Sequence, residues 1–416
     1  MSFRNHNISA VIPIGGKGSR LKDVTGKVPK PLFPINGKSA LFRCCEELKN
    51  NGIENIFVTV GYESEECLSS IMEIKKKLSI NIDTFVEKEP MGECGALWHI
   101  KEKLTNQFLF VNGDLILSIS FKKLLEFHNR LDSQLTLVTH LSDHPYDSDL
   151  VGAPNGSQIE KISSKDKNNH TLSNLYLGFT GIAVVDKKLL KKINAPLSID
   201  SSSLFHHLVK KSFFNKIRIY SYNTTEYIKD MGTPDRFKSV ENDLKVGKVK
   251  KNNYNFPQKA LFLDRDNTLI SCEKGQYVTN VSQIKFITKN IEKIAEISNE
   301  FNFVCLVTNQ PQISMGILSV ESLDSIHSKL ILYCLKYKLK IDVISFCPHH
   351  PHSGFSSEIK YLKKDCFCRK PNPGMIFEQG FLRNIDLKKS LFIGDSLDDM
   401  YAAKNSGMPF KNISNL

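Results

Sequence analysis

The run Leu261-Phe262-Leu263-Asp264-Arg265-Asp266-Asn267-Thr268 constrains this chain more than any other feature. Its apolar start has no polar face to turn to water, so it reads as a strand buried on both sides, as in parallel sheets. The strand ends in two carboxylates two residues apart. Side chains two apart on extended backbone point the same way, so Asp264 and Asp266 can face one substrate. Two such carboxylates repel each other unless a cation lies between them, and Mg²⁺ prefers oxygen ligands of this kind. One can then attack a phosphorus atom while the other protonates the leaving alcohol. A strand followed by an ordinary acidic turn would look the same over this stretch, so later segments have to decide.

Phe303-Val304-Cys305-Leu306-Val307 reads as a second buried strand, ending in Thr308 and Asn309, whose polar groups can hold phosphoryl oxygens. Lys370 lies in a loop between Arg369 and Pro371, where a cation can offset developing charge. Leu391-Phe392-Ile393-Gly394-Asp395 is a third strand ending in a carboxylate, followed by Asp398 and Asp399. Ligands of open parallel sheets gather at the carboxyl ends of strands, and all these groups fall there. The ordered set Asp264/Asp266, Thr308, Lys370 and Asp395 resembles the haloacid dehalogenase superfamily of phosphatases. The resemblance implies an aspartyl-phosphate on Asp264, acid–base work by Asp266, and Mg²⁺ held by Asp264, Asp266 and Asp395.

Cys347-Pro348-His349 and Cys366-Phe367-Cys368 supply three thiols and an imidazole from two short loops. Such paired soft ligands suit a four-coordinate structural zinc. His350 and His352 are competing imidazoles, and spacing alone leaves the choice open; His349 is favoured. Cys44, Cys45, Cys67, Cys305 and Cys334 are scattered in apolar sequence and read as core residues. The clustered thiols, together with Cys368-Arg369-Lys370-Pro371-Asn372-Pro373-Gly374-Met375, resemble the D-glycero-D-manno-heptose 1,7-bisphosphate phosphatase branch of the superfamily, with histidinol-phosphate phosphatases as near relatives. That branch implies zinc on Cys347, His349, Cys366 and Cys368, and substrate phosphate bound by Arg369. Met315 stands where the branch usually has an arginine, and Ser396 where a lysine commonly follows the last metal aspartate. Both changes remove positive charge and bear on substrate identity more than on reaction type.

The amino-terminal half carries a separate constellation. Gly15, Gly16 and Gly18, with Ser19 and Arg20, follow an apolar strand, and glycines let backbone N–H groups approach a polyphosphate. Lys30 lies in the rigid frame Pro29-Lys30-Pro31; Asp114 ends the apolar run 108–111 after Asn112 and Gly113, and Asp230 precedes Met231-Gly232. In this order the segments resemble the nucleotide-sugar pyrophosphorylases, most of all guanylyl- and thymidylyltransferases acting on hexose or heptose 1-phosphates. The resemblance implies that Gly15 to Arg20 wraps the triphosphate and Lys30 contacts phosphate. It further implies Mg²⁺ on Asp114 and Asp230, and sugar phosphate on Lys161. Gly92 belongs to Glu89-Pro90-Met91-Gly92-Glu93-Cys94, near the base and sugar, where Glu93 and Cys94 depart from the usual residues. In-line attack on an α-phosphorus joins two polyanions, so the cations Arg20 and Lys30 are what the chemistry needs.

A chain of 416 residues is long enough for two cores. Strand-like runs alternate with amphipathic stretches in both halves, which points to two α/β domains: a Rossmann-like nucleotidyltransferase over 1–245 and a haloacid dehalogenase-type parallel sheet with a zinc loop over 258–416. The basic, polar, Pro-terminated segment 246–257 reads as the linker between them. A net charge of +12 could suit nucleic acid, but the lysines are spread over both halves without a basic aromatic helix. The expected partners are sugar phosphates and a nucleoside triphosphate, with neither nucleic acid nor membrane; the chain's oligomeric state stays open. The start of the chain shows no leader pattern, and clustered thiols fit a reducing cytoplasm.

The resulting expectation is a bifunctional enzyme of activated-heptose biosynthesis, dependent on Mg²⁺ and Zn²⁺. The phosphatase would remove the 7-phosphate from a heptose 1,7-bisphosphate, and the nucleotidyltransferase would join the 1-phosphate to a nucleotide, GTP first. One product being the other's substrate gives the fusion a reason. Two alternatives stand beside it: a histidinol-phosphate-type phosphatase in the same fusion, and a non-catalytic sugar-nucleotide sensor regulating the phosphatase.

Overall fold

The computed structural model describes residues 8–14, 28–61, 64–142, 147–153, 157–164, 177–197, 203–273 and 275–416. The chain separates into two compact units. One is built on Met1–Thr139, Asp149–Lys165 and Gly178–Asn253, the other on His140–Ser148, Asp166–Leu177 and Tyr254–Leu416.

The amino-terminal unit contains the strands β1 (Ser9–Pro13), β2 (Pro34–Ile35), β3 (Lys38–Ser39), β4 (Asn55–Val60), β5 (Asn81–Val86), β6 (Gln107–Val111) and β7 (Leu115–Ser118). They are followed by β8 (Leu135–Leu141), β9 (Leu150–Gly152), β10 (Lys161–Ser163), β11 (Leu177–Asp186), β12 (Ile219–Asn223) and β13 (Tyr227–Asp230). The main sheet runs β10-β9-β11-β6-β1-β4-β5, with β8 beside β11 and β12 beside β8. Its centre is parallel, β1 pairing with both β4 and β6, whereas β11 joins β6 antiparallel. Ala10, Ile12, Val58, Leu109 and Val111 point into one apolar core, which the helix Ala40–Asn50 covers with Leu41, Cys44, Cys45 and Leu48. That helix starts where the Ser39 hydroxyl accepts the Phe42 N–H, satisfying a donor the first turn leaves open.

β7 and β13 form an antiparallel pair of their own, with Asp230 opposite Leu115. This register brings Asp230 beside Asp114, the residue just before β7, although the two are far apart in sequence. Gly113 lies under the end of β1: a Cβ there would come within 2.8 Å of the Pro13 carbonyl. Only glycine lets the β6–β7 turn approach so closely.

The carboxy-terminal unit is a five-stranded sheet of β14 (Ala260–Leu263), β15 (Phe303–Asn309), β16 (Val343–Cys347), β17 (Leu391–Gly394) and β18 (Phe410–Asn412). Its order is β16-β15-β14-β17-β18, and every pairing is parallel. Leu261, Leu263, Val304, Leu306 and Ile393 face one core, with Ile291, Ile294, Leu323, Ile326 and Leu330 from helices. Ala260, Phe262, Phe303, Cys305, Val307 and Phe392 face the other, with Met375, Ile376, Ala402 and Ala403. Helices on both faces explain why the strands read as continuous apolar runs.

The segment expected as a linker is built into the fold for most of its length. Lys248–Lys251 is a short helix that buries Val249 while its lysines face outward. The Tyr227 N–H donates to the Asn252 carbonyl at 2.9 Å, and Asn253 Nδ2 donates to Ser118 Oγ at 3.0 Å. The division between units falls between Asn253 and Tyr254. Among the described residues, no helix is long and apolar enough to cross a membrane.

Candidate active sites

In the carboxy-terminal unit, β14, β15 and β17 deliver their charged residues to one end of the sheet. Lys370 Nζ is buried there, 2.5 Å from Asp264 Oδ1, 2.6 Å from Asp399 Oδ1 and 2.9 Å from the Val307 carbonyl. Burial works against the lysine's charge, but the two carboxylates outweigh it and hold its pKa above the ordinary value. Asp264 moves the other way. Burial, helped by Asp399 and Asp266, outweighs the pull of Lys370 and leaves its pKa raised to about 7.

Asp264, Asp395 and Asp399 bring carboxylate oxygens within 4.8 Å of one another, a hard-oxygen set that suits Mg²⁺. Asp399 is fully buried and held by its own helix. Ser396 caps Leu397–Ser406, its hydroxyl and N–H meeting Asp399 Oδ2 at 2.7 and 3.1 Å. Gly394 allows this, since a Cβ there would meet Asp399 Oδ2 at 2.5 Å.

Asp266 meets a different set of partners. The ladder of β14 stops at Leu263, and Asn267, just past Asp266, turns the chain with φ +55°. The Asp266 carboxylate accepts from Arg265 Nη2 at 3.0 Å on both oxygens and from Gln310 Nε2 at 3.3 Å. It lies outside the carboxylate group that gathers around Asp264. Asn309 holds the Lys370 backbone from both sides, at 3.0 Å each way. Thr308 is buried and accepts from Gln310 Nε2 at 2.8 Å. Sequence reasoning left out Asp399, Arg265 and Gln310 as site residues. Only Asp399 had a local signal, the capping pattern Ser396-x-x-Asp399.

Cys347, His349, Cys366 and Cys368 come together. The contacts are 3.5 Å for Cys347–His349 and Cys347–Cys366, 3.3 Å for Cys347–Cys368, and 3.2 Å for His349–Cys368 and Cys366–Cys368. A tetrahedron with edges of about 3.4 Å has its centre roughly 2.1 Å from each corner, close to zinc–nitrogen and zinc–sulfur bond lengths. The hydrogen bond between Cys347 and Cys368 comes first in lowering the Cys368 thiol and in raising that of Cys347, while burial and then the bond with Cys368 raise that of Cys366, so one thiolate is shared among the three. A bound metal would deprotonate the others. His350 instead faces the backbone of His352, and it is His349 that stands with the three thiols. Arg369 Nη1 donates to the His349 carbonyl at 3.2 Å, which ties the neighbouring cation to this cluster.

In the amino-terminal unit, Lys30 Nζ pairs with Asp114, and Arg236 Nη1 reaches Asp230 Oδ1 and Oδ2 at 3.1 and 2.9 Å. Burial disfavours the Asp230 charge, yet Arg236, the Gly232 N–H and Lys30 together hold its pKa below the ordinary carboxylate value. Lys30 is thus close to both carboxylates that the sequence singled out. Arg236 had no signal in sequence beyond its place in the first turn of Pro234–Lys245. Lys161 begins β10, half-buried and paired with Gly152. Gly92 takes φ +70° in the turn where the Met91 N–H donates to Glu87. Gly15, Gly16, Gly18, Ser19 and Arg20 lie outside the described residues.

A family model described as nucleotidyl transferase matches residues 9–245, and one described as polynucleotide kinase 3 phosphatase matches residues 259–411. The D-glycero-alpha-D-manno-heptose 1-phosphate guanylyltransferase of Aneurinibacillus thermoaerophilus is 25% identical over 240 residues, covering 57% of this chain and 98% of that protein. The D-glycero-beta-D-manno-heptose-1,7-bisphosphate 7-phosphatase of Photorhabdus laumondii is 38% identical over 144 residues, covering 35% of this chain and 73% of that protein. The mannose-1-phosphate guanyltransferase of Yarrowia lipolytica is 27% identical over 239 residues, covering 56% of this chain; the chain spans only 62% of that longer relative.

Proposed function

Because the chain belongs to the nucleotidyl transferase family through its amino-terminal unit and to the haloacid dehalogenase-type phosphatases through its carboxy-terminal one, we propose that it is a bifunctional enzyme performing two successive steps in making a nucleotide-activated heptose. The phosphatase step removes the 7-phosphate of D-glycero-D-manno-heptose 1,7-bisphosphate. The transferase step joins the remaining 1-phosphate to a nucleoside monophosphate unit, GTP being the favoured donor, and releases pyrophosphate. The observation that carries this reading is the pairing of relatives: one half resembles an enzyme named for removing the 7-phosphate of a heptose 1,7-bisphosphate, which leaves a heptose 1-phosphate, and the other an enzyme named for guanylylating a heptose 1-phosphate.

The roles follow from chemistry at the two sites. Asp264 attacks phosphorus and carries the phosphoryl group, which water then removes. Lys370 fixes the nucleophile and offsets charge that develops on the phosphoryl oxygens. Asp266, protonated in the substrate complex and turned from Arg265 and Gln310, gives its proton to the leaving sugar alkoxide and takes one back from the water that cleaves the phosphoryl-aspartate. A Mg²⁺ at Asp264, Asp395 and Asp399 would neutralise phosphate charge, and a zinc at the cysteine cluster would fix the loop that carries Arg369 and Lys370. In the amino-terminal unit Lys30, with Arg20, balances the triphosphate, Asp114 and Asp230 would hold a second Mg²⁺ that neutralises phosphate charge, and Lys161 binds the sugar phosphate. The assembled Lys30, Asp114 and Asp230 favour catalysis over a sensor role, which would have no use for paired metal carboxylates.

The two relatives' names specify opposite anomers. A chain that passes one product to its own second site has to use a single anomer in both. Supplying each anomer of the bisphosphate separately with GTP and Mg²⁺, and following phosphate and pyrophosphate release, tests the proposal. Release of both products from one anomer supports it. Phosphate released from one anomer alone and pyrophosphate from the other alone would refute the serial reading.

A further inference from the structure

Each carboxylate of the amino-terminal site is closed by a cation of the chain itself. Lys30 contacts Asp114, and Arg236 grips both oxygens of Asp230 at 3.1 and 2.9 Å. The Gly232 N–H adds a third bond to Asp230 Oδ1 at 2.6 Å. The two cations are the less exposed partners: side-chain exposure is 14% for Lys30 and 24% for Arg236, against 28% for Asp114 and 39% for Asp230. Backbone geometry fixes the Arg236 pair. Thr233 caps the helix by accepting the Arg236 N–H at 3.3 Å, so the guanidinium starts from the first helical turn, directly beside the end of β13. Gly232 leaves room for the carboxylate to fold back, since a Cβ there would meet Asp230 Oδ1 at 2.5 Å.

A divalent ion binds carboxylates through oxygen lone pairs that no competing cation occupies. Here a full positive charge already touches each carboxylate, and an arriving ion would meet the repulsion of Lys30 and Arg236 as well. A nucleoside triphosphate changes both terms. Its oxygens give the lysine ammonium a more highly charged partner than one carboxylate, and they supply ligands of their own to the ion.

We propose that Lys30 and Arg236 hold the nucleotide-free site charge-neutral and poor in affinity for divalent ions, so that the ion enters together with the triphosphate. Lys30 leaves Asp114 for phosphate when the nucleotide binds. Arg236 is a positioning residue that keeps Asp230 in one orientation and sets how much carboxylate charge the ion can use. The inference rests on the reading of Asp114 and Asp230 as metal carboxylates.

The test is Mn²⁺ binding to the full chain without nucleotide, read from the electron paramagnetic resonance signal of the free ion. Asp264→Asn and Asp395→Asn are introduced throughout, to remove the metal carboxylates of the other unit. This parent should bind Mn²⁺ only weakly. Adding Lys30→Met or Arg236→Gln should tighten binding at least tenfold, and adding Asp114→Asn to either should abolish the gain. Circular dichroism melting shows which variants are folded, and if one of the two cation variants is not, the other carries the test. Unchanged or weaker binding in the folded cation variants, or tight binding already in the parent, overturns the inference while leaving the metal reading intact. A gain that survives Asp114→Asn overturns the metal reading itself.

Discussion

Lys370 Nζ lies 2.5 Å from Asp264 Oδ1, and the two side chains are only 4% and 9% exposed. Asp399 completes the arrangement 2.6 Å away on the same ammonium. The lysine therefore has two duties: it makes a pair of buried carboxylates tolerable, and it places positive charge where a phosphoryl group would be attacked.

Lys370→Met should lose both. Leaving two carboxylates buried without their cation costs about 3–5 kcal/mol, and loss of a charge aimed at the transition state lowers phosphate release by roughly a hundredfold or more. Thermal unfolding of the carboxy-terminal unit and a phosphate-release assay check these separately. Pyrophosphate release by the amino-terminal unit should be unaffected. A variant with normal stability and normal phosphatase rate would remove Lys370 from the site.

Zinc is the next expectation. Purified without chelator, the chain should hold about one zinc by elemental analysis, and Cys366→Ser should lose it. Because metal binding to such a cluster is coupled to folding, the carboxy-terminal unit of the variant should also melt at a lower temperature. Protein that folds and hydrolyses phosphate with no zinc present would contradict the assignment.

His128 makes the amino-terminal unit sensitive to acid. Burial lowers its pKa to about 4 from 6.5, more than Asp186 and Asp132 restore, while its Nδ1 contacts Thr136 Oγ1 at 2.8 Å. A histidine depressed in the folded state is neutral in both states at high pH. As pH falls through the unfolded value near 6.5 toward 4, only the unfolded chain takes up the proton, so stability is lost across that window. The loss is at most about 3 kcal/mol for this group. Denaturant unfolding of the wild type and His128→Asn between pH 7 and pH 4 should show a shallower decline in the variant; parallel declines would refute it.

Much of both sites was legible in sequence, where local pattern and chemistry coincide. The double-sided apolar runs before Asp264 and Asp395 announce parallel strands because helices cover both faces of that sheet. Soft ligands in polar loops announce the cysteine cluster because burial in a core gives them no reason to be there. What sequence hid depends on backbone direction or on distant partners. The contacts of Asp266 with Arg265 and Gln310 follow from how the chain turns after β14, which no local pattern announces. Ser396, which looked like a lost positive charge, is a helix cap that aims Asp399 toward Lys370. Arg236 meets Asp230 only because the turn at Gly232 brings the next helix back over the strand end. The basic stretch 246–257 looked like a tether because one buried valine among lysines is too weak a pattern to mark a packed helix.

Separate catalytic centres also predict separable damage. Asp264→Asn should abolish phosphate release and spare pyrophosphate release, and Asp114→Asn should do the reverse. Loss of both activities in either folded variant would mean that the two reactions share a site.

The most direct test of the whole account is product analysis of the intact chain given D-glycero-D-manno-heptose 1,7-bisphosphate, GTP and Mg²⁺, with no other enzyme present. Chromatography and mass spectrometry should show heptose 1-phosphate rising first and GDP-heptose following, with one phosphate and one pyrophosphate released per product. Heptose 1-phosphate that accumulates while no nucleoside triphosphate is consumed, or a bisphosphate left untouched, would contradict it.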